Sequence, residues 1–149
     1  MQLPVELTEA FTGKNVNAST ITKHRLVGHG TVSSSNRAPI DALNVTGVDK
    51  IAGVIQDDIP TTEAGSVYFA DGDVVTIESD GSGTIAYGDE LIAVAGASVA
   101  ASGRVAARGS TSAGVNVRVV GTSVSPTTVA ATAGAKVSVR LRLHSFQGA

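Results

Sequence analysis

The chain has 149 residues, no cysteine and no tryptophan, a formal net charge of −2, and only 16% charged and 3% aromatic residues. That is one domain's worth of sequence. The missing cysteines exclude disulfides and thiolate chemistry, and the dominance of Gly, Ala, Val, Ser and Thr over helix-forming Leu, Glu, Lys and Met argues for an all-β fold. The near-neutral total hides a split. Residues 1–90 hold all 13 acidic residues and five basic ones, a net of −8, whereas residues 91–149 hold six basic residues and no acid, a net of +6. Such asymmetry bears on partners rather than on fold.

Residues 1–21 are polar, lack sustained periodicity and carry Pro4 and Gly13, so they read as an extended N-terminal arm. A β-rich domain is expected over 22–149. It begins with Lys23–Val27 and Thr31-Val32, flanking a break at Gly28-His29-Gly30. Pro39–Leu43 is ambiguous and fits one helical turn. Val48–Gln56 offers Ile51, Val54 and Ile55 to a core. Ser66–Ala70, Val74–Glu78, Thr84–Tyr87 and Glu90–Val94 follow, separated by Asp71-Gly72-Asp73, Asp80-Gly81-Ser82-Gly83 and Gly88-Asp89. Strands this short, punctuated by Gly/Asp turns, predict a meander in a small β-sandwich or β-barrel, β-tulip-like in shape.

Beyond Ser98, Gly103–Arg108 and Gly114–Val120 read as strands, and Thr122–Thr132 as a Ser/Thr/Ala-rich connection. The last strand has the clearest pattern. In Lys136–His144 one face carries Val137, Val139, Leu141 and Leu143, and the other carries Lys136, Ser138, Arg140, Arg142 and His144. This basic stripe, with Arg104, Arg108 and Arg118, is the candidate protein interface.

No catalytic site, cofactor or metal site is expected. His24, His29 and His144 show no HxxxH or HExxH spacing, and the first two read as solvent-exposed strand or turn residues. The aspartates 57, 58, 71, 73 and 80 lack the EF-hand pattern and read as turn residues. Gly81-Ser82-Gly83 has no following helix to bind phosphate and reads as a hairpin turn. No Gly-x-Ser-x-Gly elbow is present. The basic half lacks the interleaved aromatics that stack bases, so nucleic acid is not the expected partner. The N-terminus has neither a basic n-region nor an apolar h-region, and the greasiest run, 91–101, falls short of the ~20 apolar residues of a membrane span. A soluble product made in a cytoplasm, with no membrane partner, is expected.

Four segments carry a family resemblance: Ile51–Ile55 (IAGVI), Gly88-Asp89-Glu90-Leu91, Gly103-Arg104-Val105-Ala106 and Ala133-Gly134-Ala135-Lys136-Val137. In these, the stretch from about residue 50 to residue 143 resembles the capsid cement, or head decoration, proteins of tailed bacteriophages. The resemblance implies a compact β domain, commonly trimeric, located in the virion on the outer capsid surface. Its partners would be the major capsid protein and further copies of itself, with residues 1–21 reaching over neighbouring subunits. The alternative is a β-sandwich module that binds carbohydrate or a receptor.

Overall fold

The computed structural model describes residues 10–31, 37–43, 51–94, 98–109 and 116–147. The described residues form ten strands and no helix, so the fold is all-β. The first five strands are β1 (Ala10–Asn15), β2 (Arg25–His29), β3 (Ala38–Ala42), β4 (Ile51–Ile55) and β5 (Ala64–Tyr68). They close a barrel in the order β1-β3-β2-β4-β5. The other five are β6 (Val74–Glu78), β7 (Glu90–Val94), β8 (Arg104–Ala107), β9 (Asn116–Ser123) and β10 (Lys136–Gln147). They form a sheet in the order β6-β10-β9-β7-β8.

The expected arm does not extend beyond the barrel at residues 10–21; residues 1–9 lie outside the described set. β1 runs antiparallel to β5 and parallel to β3, and so closes the barrel. Its last residue, Asn15, is fully buried. The Asn15 amide donates to the Ile59 and Ser19 carbonyls at 2.8 and 2.9 Å, and its Oδ1 accepts from the Asn17 backbone at 2.8 Å. Polarity misled the sequence reading because this asparagine is not solvated: its amide replaces water for backbone groups that the barrel buries. The Gly28-His29-Gly30 break is also absorbed, since Gly28 and His29 complete β2, with a register shift against β4 between Val27 and Gly28. The ambiguous Pro39–Leu43 stretch is strand β3, not a helical turn.

The strands expected as one consecutive meander are divided between the two sheets. β5 ends in the barrel, and the Asp71-Gly72-Asp73 turn carries the chain across to β6, which pairs with β10. Gly81-Ser82-Gly83 likewise joins no hairpin; past it, Ile85 makes a single bridge to Val129. Turn residues encode a positive φ, as at Gly72 (91°) and Gly81 (83°), but not the identity of the next partner. Burial decides that. β6 reads Val-Val-Thr-Ile with all four residues buried, so it needs cover on both faces and cannot be a half-exposed meander strand.

The larger core joins both sheets: Leu26, Leu43 and Val54 from the barrel pack with Val75, Ile77, Leu91, Val105, Val120, Val137, Val139 and Leu141. A second cluster, with Val27, Ile40, Ile55, Ile59 and Val67, fills the barrel. Each such side chain contributes about 1.5–3 kcal/mol relative to exposure.

The sheet's terminal strands are also engaged. Ser79, just past β6, bridges Val105 of β8 in parallel, and the Asp80 amide donates to the Val105 carbonyl at 2.9 Å, curling the sheet toward closure. On the barrel side, the Gln56 side-chain amide stands in for a strand. Its Nε2 donates to the Thr76 carbonyl at 2.9 Å and its Oε1 accepts from the Thr76 amide at 3.1 Å.

Gly103 is a point of close approach between the two sheets. It has φ 76°, its carbonyl accepts from the Leu26 amide at 2.8 Å, and a Cβ there would lie 2.2 Å from the Leu26 carbonyl oxygen. Gly103→Ala therefore combines left-handed strain with a backbone clash and should cost about 2–4 kcal/mol in urea denaturation. Deleting residues 1–15 removes β1, and calorimetry should then show loss of the single cooperative melt rather than a trimmed but intact core.

Candidate functional site

Glu78, the last residue of β6, is the meeting point of the charged side chains. Its Oε2 lies 2.8 Å from Arg25 Nη2 of β2 and 3.3 Å from Arg104 Nε of β8, and its Oε1 lies 2.6 Å from Lys136 Nζ of β10. The Arg25 and Glu78 side chains are only 7% and 13% exposed, so this pair is desolvated, whereas Lys136 at 42% reaches in from solvent. Lys136 faces Glu78 directly in the β6–β10 register, which makes theirs a cross-strand pair. Arg25 turns its second terminal nitrogen to the far side: Nη1 donates to the Ala100 and Ser102 carbonyls at 2.7 and 2.9 Å, while Nε is buried without a protein partner. The guanidinium fork thus ties β2 of the barrel to β6 and to the loop before β8.

Burial alone would raise the Glu78 pKa; the Lys136 hydrogen bond, the Arg25 charge and the Arg104 hydrogen bond outweigh it and hold the carboxyl below its usual range. Burial pushes the Arg25 pKa down, and Glu78 partly restores it. Beside this group sits His24. It is not a solvent-exposed residue: it adopts φ 62° in a turn before β2, and its Nδ1 is buried with no hydrogen-bond partner in the protein.

The interface candidates do not form one surface. Arg104 and Lys136 turn inward to Glu78. Arg108 pairs with Glu90 at 2.8 Å near solvent, where such a pair is worth about 0–1 kcal/mol. Arg118 is half-buried on β9. Arg140 and Arg142 are exposed on β10; Arg140 reaches the Gly72 carbonyl only at 3.4 Å, and Arg142 lines a shallow groove of ≈ 250 Å³ with Glu90, Val119, Gly121 and Thr122. His144 pairs with Val119 in the backbone ladder, and its side chain is outside the described set.

Within the stripe, Ser138 is buried rather than outward. Its amide donates to Ser125 Oγ at 2.8 Å and its carbonyl accepts from Val124 at 2.8 Å, because the segment after β9 folds over it. Alternation on the β10 core face holds for Val137, Val139 and Leu141, all buried.

Among the described residues, no three His, Cys, Asp or Glu side chains converge as a metal site. The turn aspartates serve the backbone instead: Asp58 accepts from the Lys23 amide, Asp80 from Ser82 and Asp89 from Ala86. Ser79 Oγ and Ser125 Oγ accept from backbone amides, and Ser102 Oγ donates to the Ser98 carbonyl. Arg25, Arg104 and Lys136 form an ion-paired cluster on Glu78. Sequence reasoning missed Glu78 and Arg25. The only signal for Glu78 was an isolated charge closing an apolar strand, and nothing local pairs it with Arg25. A comparison with protein-family models finds no match, and a search of curated proteins finds none with significant similarity.

Glu78 makes the fold acid-sensitive in a defined direction. With its folded pKa below the ordinary 4.5, its contribution is complete above that pH and is lost as the pH falls below it. Calorimetry in pH steps should show the wild-type midpoint falling on this limb. Glu78→Gln should start lower at neutral pH and fall less steeply.

Proposed function

We propose that the chain is a capsid decoration, or cement, protein. It binds the outer surface of a tailed-phage capsid, as a homotrimer where coat subunits meet, and reinforces the shell without catalysing a reaction. The strand segments that resemble this family supply the class. The observation that carries the reading is the exposed pair Arg140 and Arg142, presented on the β10 face of a sheet welded to a barrel. A rigid scaffold with side-chain cations on one face suits a protein that adds to a preformed symmetric surface. There, charge complementarity sets encounter rate and register more than raw affinity. The major capsid protein is the partner that such a face would meet. A second reading, a receptor- or glycan-binding module, draws on Tyr87, which is 72% exposed at the turn before β7.

The test is cosedimentation of the purified chain with capsids assembled without it. Saturable binding that weakens as salt rises is expected. Arg140→Glu with Arg142→Glu should lower the affinity by about tenfold, or about 1.4 kcal/mol, while stability changes by only about 0.5 kcal/mol. Absence of cosedimentation even at low salt would refute the proposal, and saturable binding on a glycan array lost in Tyr87→Ala would favour the second reading.

A further inference from the structure

His24 holds the two sheets by its own backbone. Its amide donates to the Ile55 carbonyl of the barrel at 2.8 Å, and its carbonyl accepts from the Glu78 amide of β6 at 2.9 Å. Its φ of 62° is a left-handed conformation uncommon for a residue with a side chain, so the turn is fixed by these contacts rather than by local preference. The ring's backbone hydrogen bond is to Thr76, which leaves the buried Nδ1 with no protein partner. The neutral ring tolerates this, because a lone pair can go unused. The charged ring cannot, because a second N–H would be buried without an acceptor.

The charges around the ring add to this. Lys23 flanks it in the turn, Lys136 faces it from β10 and Glu78 from β6, while Arg25 of β2 and Arg104 of β8 already share the Glu78 carboxylate with Lys136. Protonation would place a further cation beside three that divide one anion. Burial first, then Lys136 and Lys23, keep the His24 pKa below its ordinary 6.5, against the opposing pull of Glu78 and Thr76.

We infer that this junction is an acid-sensitive latch: a proton on His24 loosens the β2–β6 contact between sheet and barrel, raising the fraction of molecules in which it is open, while each sheet keeps its own ladder. Moving the ring to find an acceptor turns the His24 backbone, and the Glu78 amide and the nearby Leu26–Gly103 bond are the first contacts to open. The direction follows from the lowered pKa. The neutral ring's contribution is complete above pH 6.5 and is withdrawn as the pH falls below it, well before Glu78 itself titrates. The latch does not depend on what the protein binds.

Amide hydrogen exchange at about pH 7.5 and about pH 5.5, corrected for intrinsic rates, tests it. The Glu78 and Leu26 amides should lose protection by up to about tenfold at the lower pH, the limit set by one ionising group over that span, while Val67 and Val139 keep theirs. His24→Asn, which accepts a left-handed backbone but cannot charge, should show no such loss. Uniform loss across both sheets, or the same loss in His24→Asn, would overturn the latch. Should that variant fail to fold, the wild-type imidazole NMR titration decides. A midpoint below 6.5 that coincides with movement of the Glu78 amide supports the latch; titration that leaves that amide unmoved contradicts it.

Discussion

The carboxylate of Glu78 sits where two separately paired sheets meet, and Arg25 binds it at 2.8 Å with both side chains almost removed from water. Ions in such a place are costly to bury. A buried pair returns that cost only when its geometry is good and its remaining hydrogen bonds are satisfied. Here Arg25 Nη1 has two carbonyls and Glu78 has three cationic partners, and only Arg25 Nε is left buried without a protein acceptor in the pair. What the pair secures is relative placement. Hydrophobic contacts among Leu26, Val54, Val75 and Val105 favour stacking the barrel on the sheet, but apolar packing tolerates sliding, whereas a forked guanidinium does not.

That junction also governs what the molecule can offer a partner. A sheet with open edges invites strand addition and aggregation. In this fold the barrel is closed, Gln56 occupies the β6 backbone at Thr76, and Ser79 bridges β6 to β8. Among the described residues these contacts leave little open strand edge. Within the sheet, the charge split of the sequence is partly offset, because β6 and β7 bring Glu78 and Glu90 from the acidic half among β8, β9 and β10 from the basic half. Glu78 pairs with Arg104 and Lys136, as well as Arg25, and Glu90 with Arg108. The positions that remain exposed on β10, Arg140 and Arg142, are a smaller and more specific basic feature than a net of +6 suggests.

Strand identity was legible wherever period and length agreed. Val74–Glu78 and Glu90–Val94 match β6 and β7 residue for residue, and the core face of β10 follows its alternation. Pairing was not legible, because Gly/Asp turns mark reversals without naming the strand that follows, and β6 goes to a partner some sixty residues away in β10. β1 was hidden because its chemistry is polar: buried Asn15 reads as loop until the barrel carbonyls it serves are known. Ser138 misled for the same reason, as a polar residue on a supposed outer face that another segment covers. Of the candidate site, the residue types on the basic strands were readable. Their division into inward and outward groups was not, since it depends on Glu78, whose partners come from three different strands.

A double-mutant cycle with Arg25→Met and Glu78→Leu, read by urea denaturation, tests most directly whether this pair orders the molecule. Glu78→Leu strands the buried Arg25 charge and should cost about 3–5 kcal/mol, Arg25→Met should cost less because Arg104 and Lys136 still pair Glu78, and the double change should cost at least about 1.5 kcal/mol less than the sum of the two. Strict additivity, or single variants as stable as the wild type, would mean that the sheets are held by apolar packing and the backbone bonds at His24 and Gly103, and that the ion pair is incidental.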